Sequence, residues 1–196
     1  CKTIKEDINI SHIPVILLTA RDDRQSQISG YKNGADGYLS KPFEVEMLME
    51  LIRNRLKNRE YTKKRYLNAG LIPTPEESTI SLTDETFLIK LNSIIQENID
   101  NTNLGIQFIC QEVGLGRSSL YNKLKALTGM GANEYISKLR IEKAITLISG
   151  TDMPFSEIAE KTGFTTPSYF STTFKQYTGE TPSQYKERKK KGLTDQ

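Results

Sequence analysis

A chain of 196 residues with a formal net charge of +3, 36% hydrophobic and 26% charged residues has the make-up of an ordinary globular protein with room for one or two domains. No apolar run reaches the roughly 18 residues that a membrane helix needs, the start lacks a signal pattern, and the two cysteines, Cys1 and Cys110, have neither disulfide nor metal-ligand spacing. One histidine, His12, no nucleophile beside a base and no phosphate-cradling glycine loop argue against an enzyme, a metal site or a bound cofactor.

The expected setting is a reducing cytoplasm, and a chain opening on Cys1 rather than methionine reads as a piece of a longer polypeptide. In chain order, residues from His12 to about Arg59 alternate a β-branched apolar run, a helical segment, a short strand and a second helix, which is α/β grammar. From Glu60 to Thr83 the sequence turns polar, with Pro73, Pro75 and a Ser/Thr-rich stretch. It reads as a linker into which the preceding helix runs for its first residues.

After Asp84 apolar residues recur at helical spacing, as in Phe87, Leu88, Leu91, Ile94, Ile95 and Ile99. Thr83 or Asp84 is the expected cap of that helix, with Glu85 at its positive dipole end. The divisions are therefore an α/β part over 1–59, a linker over 60–83, an all-α domain over 84–191 and a tail over 192–196, mainly α in sum.

The all-α zone contains one unit twice. Ile109-Cys110-Gln111-Glu112-Val113-Gly114 parallels Ile158-Ala159-Glu160-Lys161-Thr162-Gly163. With one residue added in the second turn, Ser118, Leu120, Leu124, Lys125, Gly129 and Tyr135 parallel Ser168, Phe170, Phe174, Lys175, Gly179 and Tyr185. Each copy reads as a short helix, a glycine turn at positive φ, a second helix opening at Ser/Thr and a Thr-Gly stop. That is helix-turn-helix syntax, given twice.

A second helix that packs Leu120, Leu124 and Leu127, or Phe170, Phe174 and Tyr177, inward leaves its other face free for a major groove of double-stranded DNA. The free face holds Arg117, Ser118, Tyr121, Asn122 and Lys125 in the first copy. In the second it holds Thr166, Ser168, Tyr169, Ser171, Thr172 and Lys175. These side chains donate or accept at base edges and phosphates. The charge pattern agrees: Gly114 to Asn133 carries Arg117, Lys123 and Lys125 without an acid, and Lys161 to Gly179 carries Lys161 and Lys175 without one, as a phosphate-facing surface requires. The run Lys186 to Lys191 reads as a solvated basic end.

Asn133 to Ser149 forms an amphipathic helix between the copies, with Ile136, Leu139, Ala144, Ile145 and Ile148 available for packing. Blander roles exist for single residues: Ser118 and Ser168 as helix caps, Tyr121 and Tyr169 as half-packed rings, and Arg140 as the ion partner of Glu142 or Glu134. The alternative for the whole zone is a helical protein-interaction module without sequence-specific DNA binding.

Gly163-Phe164, Ser168-Tyr169-Phe170, Phe174-Lys175, Gly179, Thr181-Pro182 and Tyr185 resemble the signature of the AraC-type (AraC/XylS) DNA-binding domain, over about Phe87 to Arg188. The resemblance implies a transcription regulator whose two recognition helices enter successive major grooves, with RNA polymerase as a further partner. Gly105 and Cys110 depart from the small polar cap and the alanine usual there.

Pro14 to Ala20, Gly30 to Leu39 and Lys41-Pro42-Phe43 resemble the second half of a flavodoxin-like response-regulator receiver. That resemblance places Thr19 and Lys41 at the phosphoryl oxygens and makes Lys41-Pro42 a cis bond. It also assigns the acceptor aspartate and the acidic ligands of the receiver's Mg to earlier strands absent from this sequence. Asp22, Asp23 and Asp36 lie in the wrong segments to replace them.

Half a parallel sheet lacks cover and edge partners, so the front third is expected to be poorly ordered or completed by another chain. A receiver, a linker and an AraC-type reader together resemble the output end of a two-component phosphorelay protein, and Arg117 to Gly129 resembles the hybrid sensor form. That form implies a histidine kinase and receiver segments upstream, in a parent that is itself membrane-anchored although this segment touches no membrane. Phosphorylation would reorder the surfaces around Gly30 to Asn33 and Glu44 to Arg55 and promote a homodimer on repeated sites, raising occupancy through effective concentration.

Overall fold

The computed structural model describes residues 1–21, 23–69 and 82–194. Half of the expected linker, residues 70–81, lies outside them, as does Asp22. The described residues form α1 (Lys2–Glu6), β1 (Ile16–Thr19), α2 (Arg24–Lys32), β2 (Gly37–Ser40), α3 (Val45–Ala69), α4 (Leu82–Glu97), α5 (Ile106–Val113), α6 (Arg117–Thr128), α7 (Ala132–Gly150), α8 (Phe155–Lys161), α9 (Pro167–Thr178) and α10 (Pro182–Thr194). Helix α3 runs through Ala69 because no Gly or Pro interrupts its length, and α10 continues three residues into the expected tail.

Two units emerge: residues 1–90 with 113–130, and residues 91–112 with 131–196. In the first, the apolar run became β1, which pairs in parallel with β2 in the register Ile16↔Gly37 to Thr19↔Ser40. The crossover is α2, whose start is capped by Asp23 accepting the Ser26 amide at 2.8 Å. Gly37 is closely covered by Leu51 of α3, so a Cβ there would lie 3.0 Å from its side chain.

The front third thus forms defined elements, and Ile13, Leu18, Ile28, Tyr31, Met47 and Met49 are left exposed. Helix α3 also packs against α6. The expected caps of α4 do otherwise: the helix starts before them, Thr83 Oγ1 donates to the Lys5 carbonyl at 2.9 Å, and Asp84 is buried as the ion partner of Lys123.

The second unit is built on α7, which packs against α8, α9 and α10. Its core unites Ile141, Ala144 and Ile148 with Ile158, Ala159, Phe164, Phe170, Phe174 and Tyr185. Aromatic rings continue through it edge to face, with centroids 5.3 Å apart for Phe164 and Phe170, 5.7 Å for Phe170 and Phe174, and 5.6 Å for Phe174 and Tyr185. Thr181 and Gln184 cap α10 reciprocally: the Thr181 amide donates to Gln184 Oε1 at 2.9 Å and the Gln184 amide to Thr181 Oγ1 at 3.3 Å. The Thr-Pro-x-x-Tyr run is therefore a helix start that seats Tyr185 in the core.

Arg140 does not pair with Glu142 or Glu134. It is buried, and its guanidinium donates to the carbonyls of Ile99, at 3.3 Å, and Asn101, at 2.6 Å. Those carbonyls follow the end of α4, where backbone acceptors have no helical donors.

Candidate nucleic acid interface

Both copies of the repeat take the backbone path that their glycines require. Gly114 has φ of +72° and Gly163 of +73° in the turns, and Gly129 and Gly179 have φ of +79° and +82° at the stops. At each stop the glycine amide donates to the lysine carbonyl four residues back, Lys125 at 3.0 Å and Lys175 at 2.8 Å.

The preceding threonine repeats as well. Thr128 Oγ1 donates to the Leu124 carbonyl and accepts the Met130 amide, while Thr178 Oγ1 donates to the Phe174 carbonyl and accepts the Glu180 amide. The Thr-Gly pair closes both helices by one arrangement, and both helices are 12 residues long.

The starts differ. Helix α9 opens with Thr166 accepting the Tyr169 amide at 3.2 Å and with Pro167 at its first position. Helix α6 opens after Gly116 without a side-chain cap, so the expected Ser/Thr opening holds for the second copy only. Ser118 and Ser168 lie inside their helices and are exposed.

The inward faces carry Leu120, Leu124 and Leu127 in α6 and Phe170, Thr173 and Phe174 in α9, all buried. Tyr177 is a correction: it is 37% exposed and its hydroxyl donates to the Glu134 carbonyl at 2.8 Å. It lies in the last turn of α9, and Tyr185 fills the core beside Phe174 instead.

Opposite these faces Arg117, Ser118, Tyr121, Asn122 and Lys125 are exposed in the first copy, and Ser168, Tyr169, Thr172 and Lys175 in the second. Thr166 is exposed although its oxygen serves as a cap, and Ser171 is half-buried. Tyr121 and Tyr169 are 55% and 52% exposed, and the Tyr169 ring meets Phe164 edge to face at 5.7 Å. That contact anchors the ring while about half of the residue stays exposed.

Gln176 is exposed one turn beyond Thr172 and extends the α9 face. Sequence reasoning missed it, although its spacing of four from Thr172 is signal enough. Lys123, placed with the phosphate-facing charges, is wholly buried and paired with Asp84. In the basic end, Lys186 binds Asp152 at 3.1 Å and Arg188 binds Glu180 at 2.6 Å.

In the front third the Lys41-Pro42 bond is cis. Thr19 ends β1 with its Oγ1 accepting the Arg21 amide at 3.1 Å, and Lys41 follows β2 with its amide donating to the Thr19 carbonyl at 2.6 Å. The carboxylates there are engaged otherwise. Asp36 accepts the Val15 amide and the Lys5 ammonium, both at 2.7 Å, and Asp23 caps α2. These residues do not fit a magnesium site, and no cluster of three or more potential metal ligands exists among the described residues. No helix among the described residues is long and apolar enough to cross a membrane.

Two segments of the chain match known protein families. Residues 109–188 match the family described as a helix-turn-helix domain, and residues 1–53 match the response regulator receiver domain. Over 188 residues, 96% of the chain, it is 42% identical to histidine kinase P4 of Formosa agariphila, of which it spans 14%. It is 33% identical to the uncharacterized transcriptional regulatory protein YesN of Bacillus subtilis over 59% of the chain and 32% of that protein.

Among solved structures, the C-terminal domain of the two-component response regulator yesN from Fusobacterium nucleatum is 30% identical over 52% of this chain and 98% of that one, with a TM-score of 0.49. A transcriptional regulator of the AraC-type DNA-binding domain-containing proteins from Chromobacterium violaceum is 25% identical over 54% of this chain and 93% of that one, with a TM-score of 0.50.

Proposed function

The chain carries an AraC-type helix-turn-helix domain with part of a response-regulator receiver ahead of it, and from that premise we propose that it binds specific double-stranded DNA as the output module of a two-component phosphorelay. One observation carries the reading. The second helix of each repeat shows an exposed face of hydroxyl, amide, phenol and basic groups without a carboxylate, over a buried, mainly apolar inner edge.

Such a face supplies donors and acceptors for base edges, with Arg117, Lys125 and Lys175 for phosphates. The two helices take successive major grooves of one duplex, as tandem units of this kind do about one helical turn, 10–10.5 base pairs, apart. This segment acts by binding, as a DNA-reading domain and part of a receiver do, and any kinase activity belongs to other parts of a longer protein.

The 42% identity to a histidine kinase supports a hybrid parent, in which Thr19 and Lys41 attend a phosphoryl group on an aspartate upstream and magnesium is held outside this segment. Pairing of two copies through the receiver, contact with RNA polymerase and a cytoplasmic setting complete the proposal.

The test is selection of this chain against random-sequence duplexes, followed by salt titration of the enriched pool. Two short conserved elements about one helical turn apart, with affinity falling steeply as salt rises, are expected. Binding that ignores sequence and salt would assign the helices to protein interaction and overturn the reading.

A further inference from the structure

Lys123 is the one basic residue of the first reading helix that faces inward, and its surroundings are unusual for a lysine. Its side chain is 0% exposed. The ammonium contacts Asp84 Oδ1 directly and donates to Ser11 Oγ at 2.7 Å; Ser11 Oγ in turn donates to Asp84 Oδ1 at 2.7 Å.

The ring of Phe87 lies 5.1 Å from the ammonium, on the same helix as Asp84. Ser11, Asp84 and Lys123 are all buried. A buried ion pair is tolerated when its remaining donors and lone pairs are met, and removal of one partner leaves a costly uncompensated charge.

The three members come from three places in the chain. Ser11 belongs to the receiver part, in the turn leading into β1, whose far end is Thr19. Asp84 belongs to the start of α4. Lys123 belongs to the reading helix, on the side away from Tyr121 and Lys125. A second bond, Thr83 Oγ1 to the Lys5 carbonyl at 2.9 Å, and the packing of α3 on α6 join the same parts.

We infer that this triad is a latch through which the receiver part sets the seat of the first reading helix, with Lys123 as a positioning residue that never touches DNA. A shift of the segment holding Ser11 withdraws one of the ammonium's two acceptors and loosens α6 from behind, while its reading face stays open. The regulatory sense of the latch rests on the DNA-binding function proposed above; its mechanical sense does not.

Ser11→Ala in the full chain removes one hydroxyl and leaves the ion pair intact. Hydrogen exchange read by mass spectrometry should show the Leu120 to Leu127 amides at least fivefold faster, with the Phe170 to Tyr177 amides of the matched helix unchanged. In a K123M/D84L background, where no charge remains to be met, the same S11A change should have no effect on α6. Unchanged α6 exchange in S11A, equal acceleration of both helices, or an undiminished effect in that background would each overturn the latch.

The S11A chain should also bind a random-sequence duplex pool with at least a threefold altered apparent Kd. Altered exchange with unaltered Kd overturns the regulatory sense. A parent chain that binds no duplex overturns the proposed function, and the exchange data still decide the latch.

Discussion

Substituting Gly163 by alanine separates two costs that the repeat normally combines. Gly163 turns the chain at φ of +73°, and a Cβ there would run into the Ile99 carbonyl oxygen and lie 2.7 Å from Arg140 Nη2. The left-handed conformation alone costs an L-residue about 1–2 kcal/mol. Relief of the collision must displace either the backbone at Ile99 or the guanidinium that donates to Ile99 and Asn101, an overpacking cost of about 1–3 kcal/mol.

The sum is about 2–5 kcal/mol, a large share of a small domain's stability. Gly179 is the internal control, in the same unit, at φ of +82° and with nothing within 4 Å of the place a methyl group would occupy; its alanine variant bears the conformational cost alone. Urea unfolding followed by circular dichroism should place G163A about 1–3 kcal/mol below G179A. Equal losses in the two variants would refute the assignment of Gly163 to close packing against Ile99 and Arg140.

Lys125→Ala and Lys175→Ala should each lower the slope of log Kd against log salt by about 0.9, with unchanged thermal midpoints because both side chains are exposed; an unchanged slope removes that lysine from the interface. Burial pushes the Tyr135 hydroxyl up to about 12, from 10.0, so its contribution to stability is full below the unfolded value and is lost as pH rises through the folded one. Tyr135→Phe should therefore flatten the alkaline decline over that window. At neutral pH it should cost about 1 kcal/mol through the lost bond to Asn92; urea unfolding across alkaline pH checks both, and an unchanged decline would exclude Tyr135 as its source.

Features with a local backbone cause were legible in the sequence. The repeat declares itself because positive φ demands glycine at the turn and the stop, and the inner faces follow from helical spacing. Polar side chains with distant partners were not legible. Lys123 reads as a surface charge and Asp84 as a cap, but they meet across 39 residues, and Ser11 reaches Lys123 across 112. Arg140 reads as the ion partner of carboxylates on its own helix and instead serves carbonyls 41 and 39 residues away.

Local rules give a charged or hydroxyl side chain to the nearest plausible partner, and tertiary packing overrules them where water is excluded. Tyr177 failed for a simpler reason: at the last turn of a helix the apolar stripe runs past the core that the earlier turns fill.

The two stop glycines also act as a common origin of measurement. Counted back from Gly129 and from Gly179, steps of 4, 7, 8 and 11 reach Lys125, Asn122, Tyr121 and Ser118 in one helix, and Lys175, Thr172, Ser171 and Ser168 in the other. The extra residue of the second copy falls in its turn, before Pro167, and leaves this count intact. A difference of one residue in the turn therefore leaves the spacing of these side chains from the stop unchanged. An insertion between the turn and the stop would swing every side chain before it by about 100° and scramble the whole face at once.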